Sequence, residues 1–531
     1  MNKEKNRGKS VMDLPLQQLT ADDLTIEEKV GQMLCFAFHG TEYNEQLDRQ
    51  LKDLKVGGSI FFLRNIENNE QVKKLNKDLQ DNAKIPLFIG LDQEGGTVLR
   101  ITEGITPFPG AMAFSASGRS NYNVCKSVGH DLRSLGFNMV FAPVADVNNN
   151  SLNPVINSRS YSDDPEVVSK YVIDAFKGFQ DSLVLPTVKH FPGHGDTSVD
   201  SHLSLPTVTK EKEELEKIEL APFKAAIKNG IDGVMVAHIV FDKVDSIYPS
   251  TLSKKIITEI LREEMQFKGL VVTDSLTMGA INNNYSKGEI VEYAVNAGID
   301  LLIFCGKADI EEQTFIYNEF LRKIKEGKIS INRVNESVNR LLDYKKKYQC
   351  DDMSFSEEKL VINEEYVKEA LDISNESITL VEDKQKLFPL KEDDKTLIIF
   401  PKIKLFSLVD NANENYKTLS SFFEKDEIIF DSELENLSEI IEKSKNYDKI
   451  ILCTYNVQKD DHYTKVFNAI DKNKTIVVSM RSPYDYLYLN DLSTYICIYE
   501  ATSLSLTSLS NCLSSKNQFK GKLPIKKEEL L

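Results

Sequence analysis

Eight short, β-rich apolar runs recur through the first two thirds of the chain, at residues 33–38, 58–63, 86–91, 139–144, 184–188, 234–237, 270–273 and 301–304. Helix-like patterns follow most of them, at 43–54, 70–82, 122–135, 166–180, 211–229, 254–265, 288–297 and 311–326. A strand followed by a helix cannot join the next strand through a tight hairpin, so the alternation predicts a parallel sheet. Eight units within about 320 residues fit a (β/α)8 barrel, whose usual length of roughly 250 residues leaves room for insertions. A doubly wound open sheet satisfies the same periodicity.

In such a barrel the chemistry sits at the C-terminal ends of the strands. Acidic residues and histidines fall there: Asp92 after the third run, Asp146 after the fourth, a histidine-rich stretch after the fifth, His238 after the sixth and Asp274 after the seventh. The stretch KHFPGHGDTSVDSH, residues 189–202, carries three of the seven histidines, His190, His194 and His202, with Asp196 and Asp200. Polar groups this dense are costly to bury without partners. Pro192, Gly193 and Gly195 break any helix, so the stretch reads as a shaped loop after the apolar run that ends at Val188.

Asp200 and His202 lie two residues apart. An aspartate that accepts from one imidazole nitrogen fixes the tautomer and raises the basicity of the other, so the pair can act as acid and base. A hydrogen bond inside the loop is the structural alternative. A metal site built from His190, His194, Asp196 and His202 is another, although a Pro-Gly loop is a poor template for rigid ligands. Asp274, in GLVVTDSLTMGAI, lands at the barrel mouth as a nucleophile or a stabiliser of positive charge, or else as a helix cap. In LDQEGGTVLR, Asp92, Glu94 and Arg100 surround Gly95 and Gly96, which let the backbone come close to a ligand. Asp92 and Arg100 can bind hydroxyls or a carboxylate, or form an ordinary salt bridge. Arg159, in INSRSYSDDP, has the same two readings. Lys189 and His190, at the end of the fifth strand, are expected to face the pocket.

The net charge of -16 argues against nonspecific binding to nucleic acid or to an anionic membrane. The seven cysteines have no close pair and suggest neither a disulfide framework nor zinc-type pairing. Free thiols fit a reducing compartment. The segment MNKEKNRGKSVMDLP has charges but no apolar core of signal-peptide length, and no run approaches the roughly 20 apolar residues of a membrane helix. The expected location is the cytoplasm. Residues 345–365 are charged and irregular and read as a connection with helical stretches. A second α/β pattern follows, with strands at 396–400, 427–430, 449–454, 475–479 and 495–499, and helices between them such as 434–443. It predicts a three-layer αβα sandwich of roughly 150 residues. No glycine-rich phosphate loop marks its strand ends, so no nucleotide is assigned. The expected division is a barrel at 22–345, a linker at 346–370 and a sandwich domain at 371–531.

Taken together, KHFPGHGDTSVDSH, LDQEGGTVLR, INSRSYSDDP and GLVVTDSLTMGAI resemble the family 3 glycoside hydrolases, and within them the branch that removes terminal β-linked N-acetylglucosamine. The resemblance covers about residues 25–345, and GKLPI near the end is similar to the closing pattern of the sandwich that follows the barrel in many members. It implies that Asp274 is the nucleophile of a covalent glycosyl-enzyme and that His202, paired with Asp200, is the general acid/base. It further implies that Asp92, Arg100, Arg159, Lys189 and His190 bind the sugar hydroxyls, while His194 and Asp196 shape the loop. No metal and no cofactor are implied, and the partner implied is a small-molecule or oligosaccharide substrate.

The leading expectation is a retaining, exo-acting N-acetyl-β-D-glucosaminidase acting on muropeptide or chitin-type fragments. Retaining glycosidases ordinarily use two carboxylates about 5–5.5 Å apart. Here an imidazole stands in for the second, and a group that titrates near neutrality can both donate and accept the proton. A neutral imidazole also repels an anionic acceptor less than a carboxylate does, so a phosphorylase on the same sugar is an alternative. A β-glucosidase on the same scaffold is another, against which the DSH loop argues. A non-catalytic sugar-binding protein would have lost the nucleophile or a dyad member, and both are present. The chain has no Trp, a residue often stacked on sugar rings.

Overall fold

Eight parallel strands form one sheet: β1 (Leu34–Phe36), β2 (Gly58–Phe61), β3 (Phe88–Leu91), β4 (Met139–Val140), β5 (Leu185–Phe191), β6 (Gly233–Val236), β7 (Leu270–Thr273) and β8 (Leu302–Phe304). The computed structural model describes residues 14–198, 201, 204–307, 309–353, 355, 360–391, 393–403 and 417–526. Strands adjacent in sequence pair, and β8 returns to β1 with Leu302 opposite Leu34. A parallel bridge between Val272 and Leu301 closes the ring, with the Asp300 N–H donating to the Val271 carbonyl at 2.8 Å. An open doubly wound sheet would leave two edges at this point, so the fold is the (β/α)8 barrel. Every residue of the eight strands is buried, which is why they read as apolar runs rather than alternating ones.

The surrounding helices start where local signals place them. Asn44 and Asn68 accept from the amides of Leu47 and Gln71 to begin Glu45–Lys52 and Asn69–Asn82. Asp164 caps Pro165–Asp181, whose first residue is the proline, and Ser286 with Glu289 makes a capping box for Lys287–Ala297. The expected helix at 211–229 is instead two, Lys212–Lys217 and Ala221–Lys228. Pro222 has no N–H to offer Ile218, and the break lets Glu219 turn inward to Lys210 at 2.6 Å. The stretch 254–265 forms a π-helix, Lys255–Glu264, rather than the expected α-helix; its apolar spacing is that of an ordinary helix and does not encode the wider turn. The region read as irregular from residue 345 begins inside a helix, Ile331–Lys347, whose Val334, Val338, Leu341 and Leu342 are buried.

The end of the barrel remote from the strand C-termini is held by Asp300, which is fully buried. Its carboxylate accepts from the Val271 N–H at 3.0 Å and pairs with Arg262 and Arg340 at 2.6 Å each and Arg333 at 3.2 Å. Burial opposes its ionisation, yet the three guanidinium groups outweigh it and hold the carboxyl down to about 2.

A second sheet comprises β9 (Thr379–Asp383), β10 (Thr396–Pro401), β11 (Asp426–Phe430), β12 (Lys449–Thr454), β13 (Thr475–Ser479) and β14 (Thr494–Cys497), in the order β9-β14-β13-β12-β10-β11. Five strands stand near their expected places and are parallel; β9, absent from the sequence reading, pairs antiparallel with β14 at the edge. With Leu437–Ser444, His462–Ala469 and Ser503–Leu513 this makes the αβα sandwich. The barrel helix Ala111–Ser117 gives Met112 and Ala116 to the sandwich core, so the two units share packing.

Removing one partner of a buried ion cluster costs about 3–5 kcal/mol. Asp300→Ala is therefore expected to lower the denaturant midpoint of the barrel at pH 7. Because the folded pKa lies below the unfolded one, this stabilisation is present above about pH 4 and is lost as pH falls towards 2. Midpoints of variant and wild type measured across that range should converge at the acid end.

Candidate active site

The C-terminal ends of the barrel strands surround a cavity of about 330 Å³. Asp92, Arg100, Arg159, Lys189, His190 and Asp274 all line it, together with His194 and Ser201. Asp200 and His202 lie outside the described residues. The fifth strand is longer than its apolar run: β5 continues through Lys189, His190 and Phe191, with Phe191 paired to Val236, so the loop begins at Pro192. Lys189 and His190 are tolerated in this buried strand because each one finds a charged partner.

Those partners form an alternating chain of charges. Lys189 Nζ donates to Asp92 Oδ1 at 2.8 Å and lies 2.6 Å from Glu94 Oε1. Arg159 clasps Glu94 with two bonds, Nε to Oε2 at 2.8 Å and Nη2 to Oε1 at 2.7 Å. Arg100 Nη2 reaches the other oxygen of Asp92 at 3.3 Å. Burial opposes ionisation of both carboxylates, but Lys189 and Arg100 hold Asp92 below its ordinary range, and Arg159 and Lys189 do the same for Glu94. Burial likewise disfavours the Lys189 ammonium, and Asp92 and Glu94 more than restore it. Asp92 is the carboxylate of the pair with more exposure, 18% of its side chain against 5% for Glu94, so it is the one that can meet a ligand.

Behind this chain lies Asp146, which is fully buried. His190 Nδ1 donates to it at 2.7 Å, and the His194 N–H donates at 2.7 Å. Arg159 Nη2 stands 3.4 Å from His190 Nε2, which fits the tautomer with the proton on Nδ1. Burial pushes His194 down to about 4, with His190 adding to the effect, so His194 is neutral at pH 7. Its Nδ1 meets Thr197 Oγ1 at 2.7 Å and its Nε2 meets Ser201 Oγ at 3.0 Å. Gly195 is required here: a Cβ would sit 1.6 Å from the Val147 carbonyl oxygen. Asp196 turns away to Lys210 at 3.0 Å. His190, His194 and Asp196 thus have three different partners, and among the described residues no group of three His, Cys, Asp or Glu side chains is arranged to hold a metal ion.

Asp274 is half-buried directly after β7. Its N–H donates to the Val236 carbonyl at 3.0 Å, and its Oδ1 accepts from the Ser275 N–H at 2.7 Å. His238, which also follows a strand, does not line the cavity. It bridges Thr251 Oγ1 at 2.7 Å and the Ser275 carbonyl at 2.9 Å, and so steadies the segment carrying Asp274. An apolar wall completes the cavity with Ile60, Phe62, Met235, Met278 and Ile303. Sequence reasoning placed Glu94 and Asp146 near strand ends but gave neither a site role. Both carry the same positional signal as Asp92 and Asp274, a carboxylate just beyond a barrel strand.

Comparison with known proteins places this arrangement. The glycosyl hydrolase family 3 N-terminal domain matches residues 25–344. The chain belongs to this family. A family 3 β-N-acetylglucosaminidase from Paenibacillus sp. str. FPU-7 is 36% identical, with a TM-score of 0.90 over 95% of this chain and 99% of that one. Beta-hexosaminidase A of Pseudoalteromonas piscicida is 35% identical over 329 residues, 57% of this chain; the match spans only 55% of that relative's length. Beta-hexosaminidase of Neisseria meningitidis serogroup B is 34% identical over 286 residues, 52% of this chain and 78% of the relative. No described helix of this family 3 chain is long and apolar enough to cross a membrane.

The paired charges make a contrast that denaturation can read. Glu94→Gln leaves Arg159 and Lys189 facing a neutral amide and is expected to cost about 3 kcal/mol of unfolding free energy. Asp196→Asn disturbs a partly exposed pair and should cost less than about 1 kcal/mol.

Proposed function

We propose that this family 3 chain is a retaining, exo-acting N-acetyl-β-D-glucosaminidase that releases terminal β-linked N-acetylglucosamine from muropeptide or chitin-type fragments. The observation that carries the reading is Asp274, a half-buried carboxylate sharing one small cavity with Asp92, Arg100, Arg159, Lys189 and His190. A volume of about 330 Å³ lies at the low end of the roughly 300–1,000 Å³ usual for ligand pockets, which suits one terminal sugar better than a chain threaded through. The name of the Paenibacillus relative points to the same sugar, and that of the Neisseria relative to the wider class of hexosamines. The catalytic unit is residues 22–345, joined through 346–370 to the sandwich at 371–531, and wall-fragment recycling in the cytoplasm is the setting we favour.

Asp274 attacks the anomeric carbon as the bond from that carbon to the leaving oxygen breaks. The Ser275 N–H on Oδ1 fixes the orientation of the carboxylate. His202 gives its proton to the leaving oxygen and then removes one from the water that cleaves the sugar–Asp274 ester. Two displacements at one carbon return the original anomeric configuration. Asp200 orients His202. The dyad assignment rests on the DSH sequence and the family resemblance; Ser201, the residue between them in the chain, lines the cavity. Asp92, Arg100, Arg159, Lys189 and His190 bind the sugar hydroxyls, Asp92 as an acceptor and the cations as donors. These steps call on no metal or cofactor.

Asp274→Ala is expected to lower kcat/KM on 4-nitrophenyl N-acetyl-β-D-glucosaminide by about 10^4-fold or more. A slow-turnover fluorosugar should label Asp274, read by peptide mass; a label on another side chain would overturn the assignment. His202→Ala should cost about 10^2–10^4-fold on substrates with poor leaving groups and far less on dinitrophenyl glycosides, which need no proton. Free sugar released in phosphate buffer supports hydrolysis, whereas sugar 1-phosphate would make the chain a phosphorylase.

A further inference from the structure

The ion pair between Arg159 and Glu94 is reached from both sides by the C-terminal sandwich. Asn157 opens the single helical turn Asn157–Arg159 with a φ of 43°, a left-handed conformation that asparagine adopts more readily than other side-chain-bearing residues. Its Nδ2 donates to Ser482 Oγ at 3.0 Å, and its N–H donates to Asn148 Oδ1 at 3.0 Å. Asn148 in turn donates to the Tyr484 hydroxyl at 3.2 Å. Ser482 and Tyr484 both lie on the turn after β13. Two sandwich hydroxyls therefore hold the turn that delivers Arg159.

Glu500, just beyond β14, packs against the loop that carries the other partner. It is buried, and its Oε2 accepts from the Gly110 N–H at 2.5 Å. A Cβ on Gly96 or Gly110 would lie 2.6 or 2.7 Å from that oxygen, so the carboxyl occupies the space left by two missing side chains. Gly96, at a φ of 60°, stands two residues from Glu94. Burial pushes the Glu500 carboxyl up to about 7, so shape and hydrogen bonding rather than an ion pair keep it there. Tyr499 borders one small space together with Glu94, Gly96 and Arg159.

We infer that the sandwich positions the sugar-binding Arg159 and the Glu94 carboxylate that clasps it, with Ser482, Tyr484 and Glu500 as positioning residues supplied by the second domain. This rests on the reading of Arg159 as a sugar ligand. None of the three lines the main cavity, so each acts through the loop it holds.

Steady-state kinetics on 4-nitrophenyl N-acetyl-β-D-glucosaminide with the full chain test this. Tyr484→Phe and Ser482→Ala are each expected to raise KM about three- to ten-fold, the worth of one hydrogen bond, with kcat changed less than about two-fold. Glu500→Ala should raise KM likewise, and Glu500→Gln, which keeps an acceptor for the Gly110 N–H, should recover most of the loss. A merely structural defect would lower the active fraction, and so kcat, while leaving KM in place. In an Arg159→Ala background, Tyr484→Phe should raise KM no further. Unchanged KM in the folded single variants, or full additivity with Arg159→Ala, overturns the inference. If Arg159→Ala alone leaves KM unmoved, the sugar-binding reading fails and takes the inference with it.

Discussion

The mouth of the barrel depends on four charges of alternating sign, the buried Lys189 and Arg159 and the part-buried Asp92 and Glu94. A lone buried ion is prohibitively unfavourable, and an ion pair with poor geometry is scarcely better. In this arrangement each inner member has a neighbour on either side, and the contacts fall between 2.6 and 2.8 Å. The four come from the end of β3, the segment after it, the segment after β4, and β5 itself. Their mutual attraction therefore ties three neighbouring strand ends together. It also leaves a polar wall whose donors and acceptors are already aligned, so little side-chain freedom remains to be lost when a ligand arrives.

Asp300 at the opposite end uses the same physics for another purpose. Three arginines converge on one fully buried carboxylate where the last two strands meet, and none of these groups lines the cavity. One end of the barrel is stapled shut, and the other presents its charges to a cavity. This division lets loops at the mouth vary without loosening the ring. Tyr484 and Glu500 reach it from more than three hundred residues further along the chain.

The barrel was legible because its eight strands are buried on both faces, and burial of that kind writes itself as short apolar runs. The strand ends were legible for a related reason: a carboxylate or histidine after such a run has nowhere else to go. What could not be read was anything decided by contact between distant segments. Lys189, His190 and Phe191 look like the start of a loop because two of them are polar, yet pairing with neighbouring strands and the carboxylates around them keep them in the sheet. The break before Pro222 has a local cause in the missing N–H, but its use, the turning of Glu219 towards Lys210, appears only in three dimensions. Glu94 and Asp146 were passed over because a lone acidic residue carries no sign of which cation or imidazole it will meet. Edge strand β9 is short and only half-buried, so its pattern is weak.

The extension of β5 has a mechanical consequence. Lys189 and His190 are clamped by the sheet, whereas residues 193–198 lie outside the ladder and are held by single bonds, such as the Gly193 N–H to the His190 carbonyl at 2.8 Å and His194 Nδ1 to Thr197 Oγ1 at 2.7 Å. On the proposed function, the residues assigned to the sugar ring and those assigned to the departing group hang on one continuous peptide, of which Lys189 and His190 are fixed within the sheet. On that reading, substitutions past the proline retune which aglycones are accepted while Lys189 and His190 stay in place, and a single scaffold serves several kinds of leaving group.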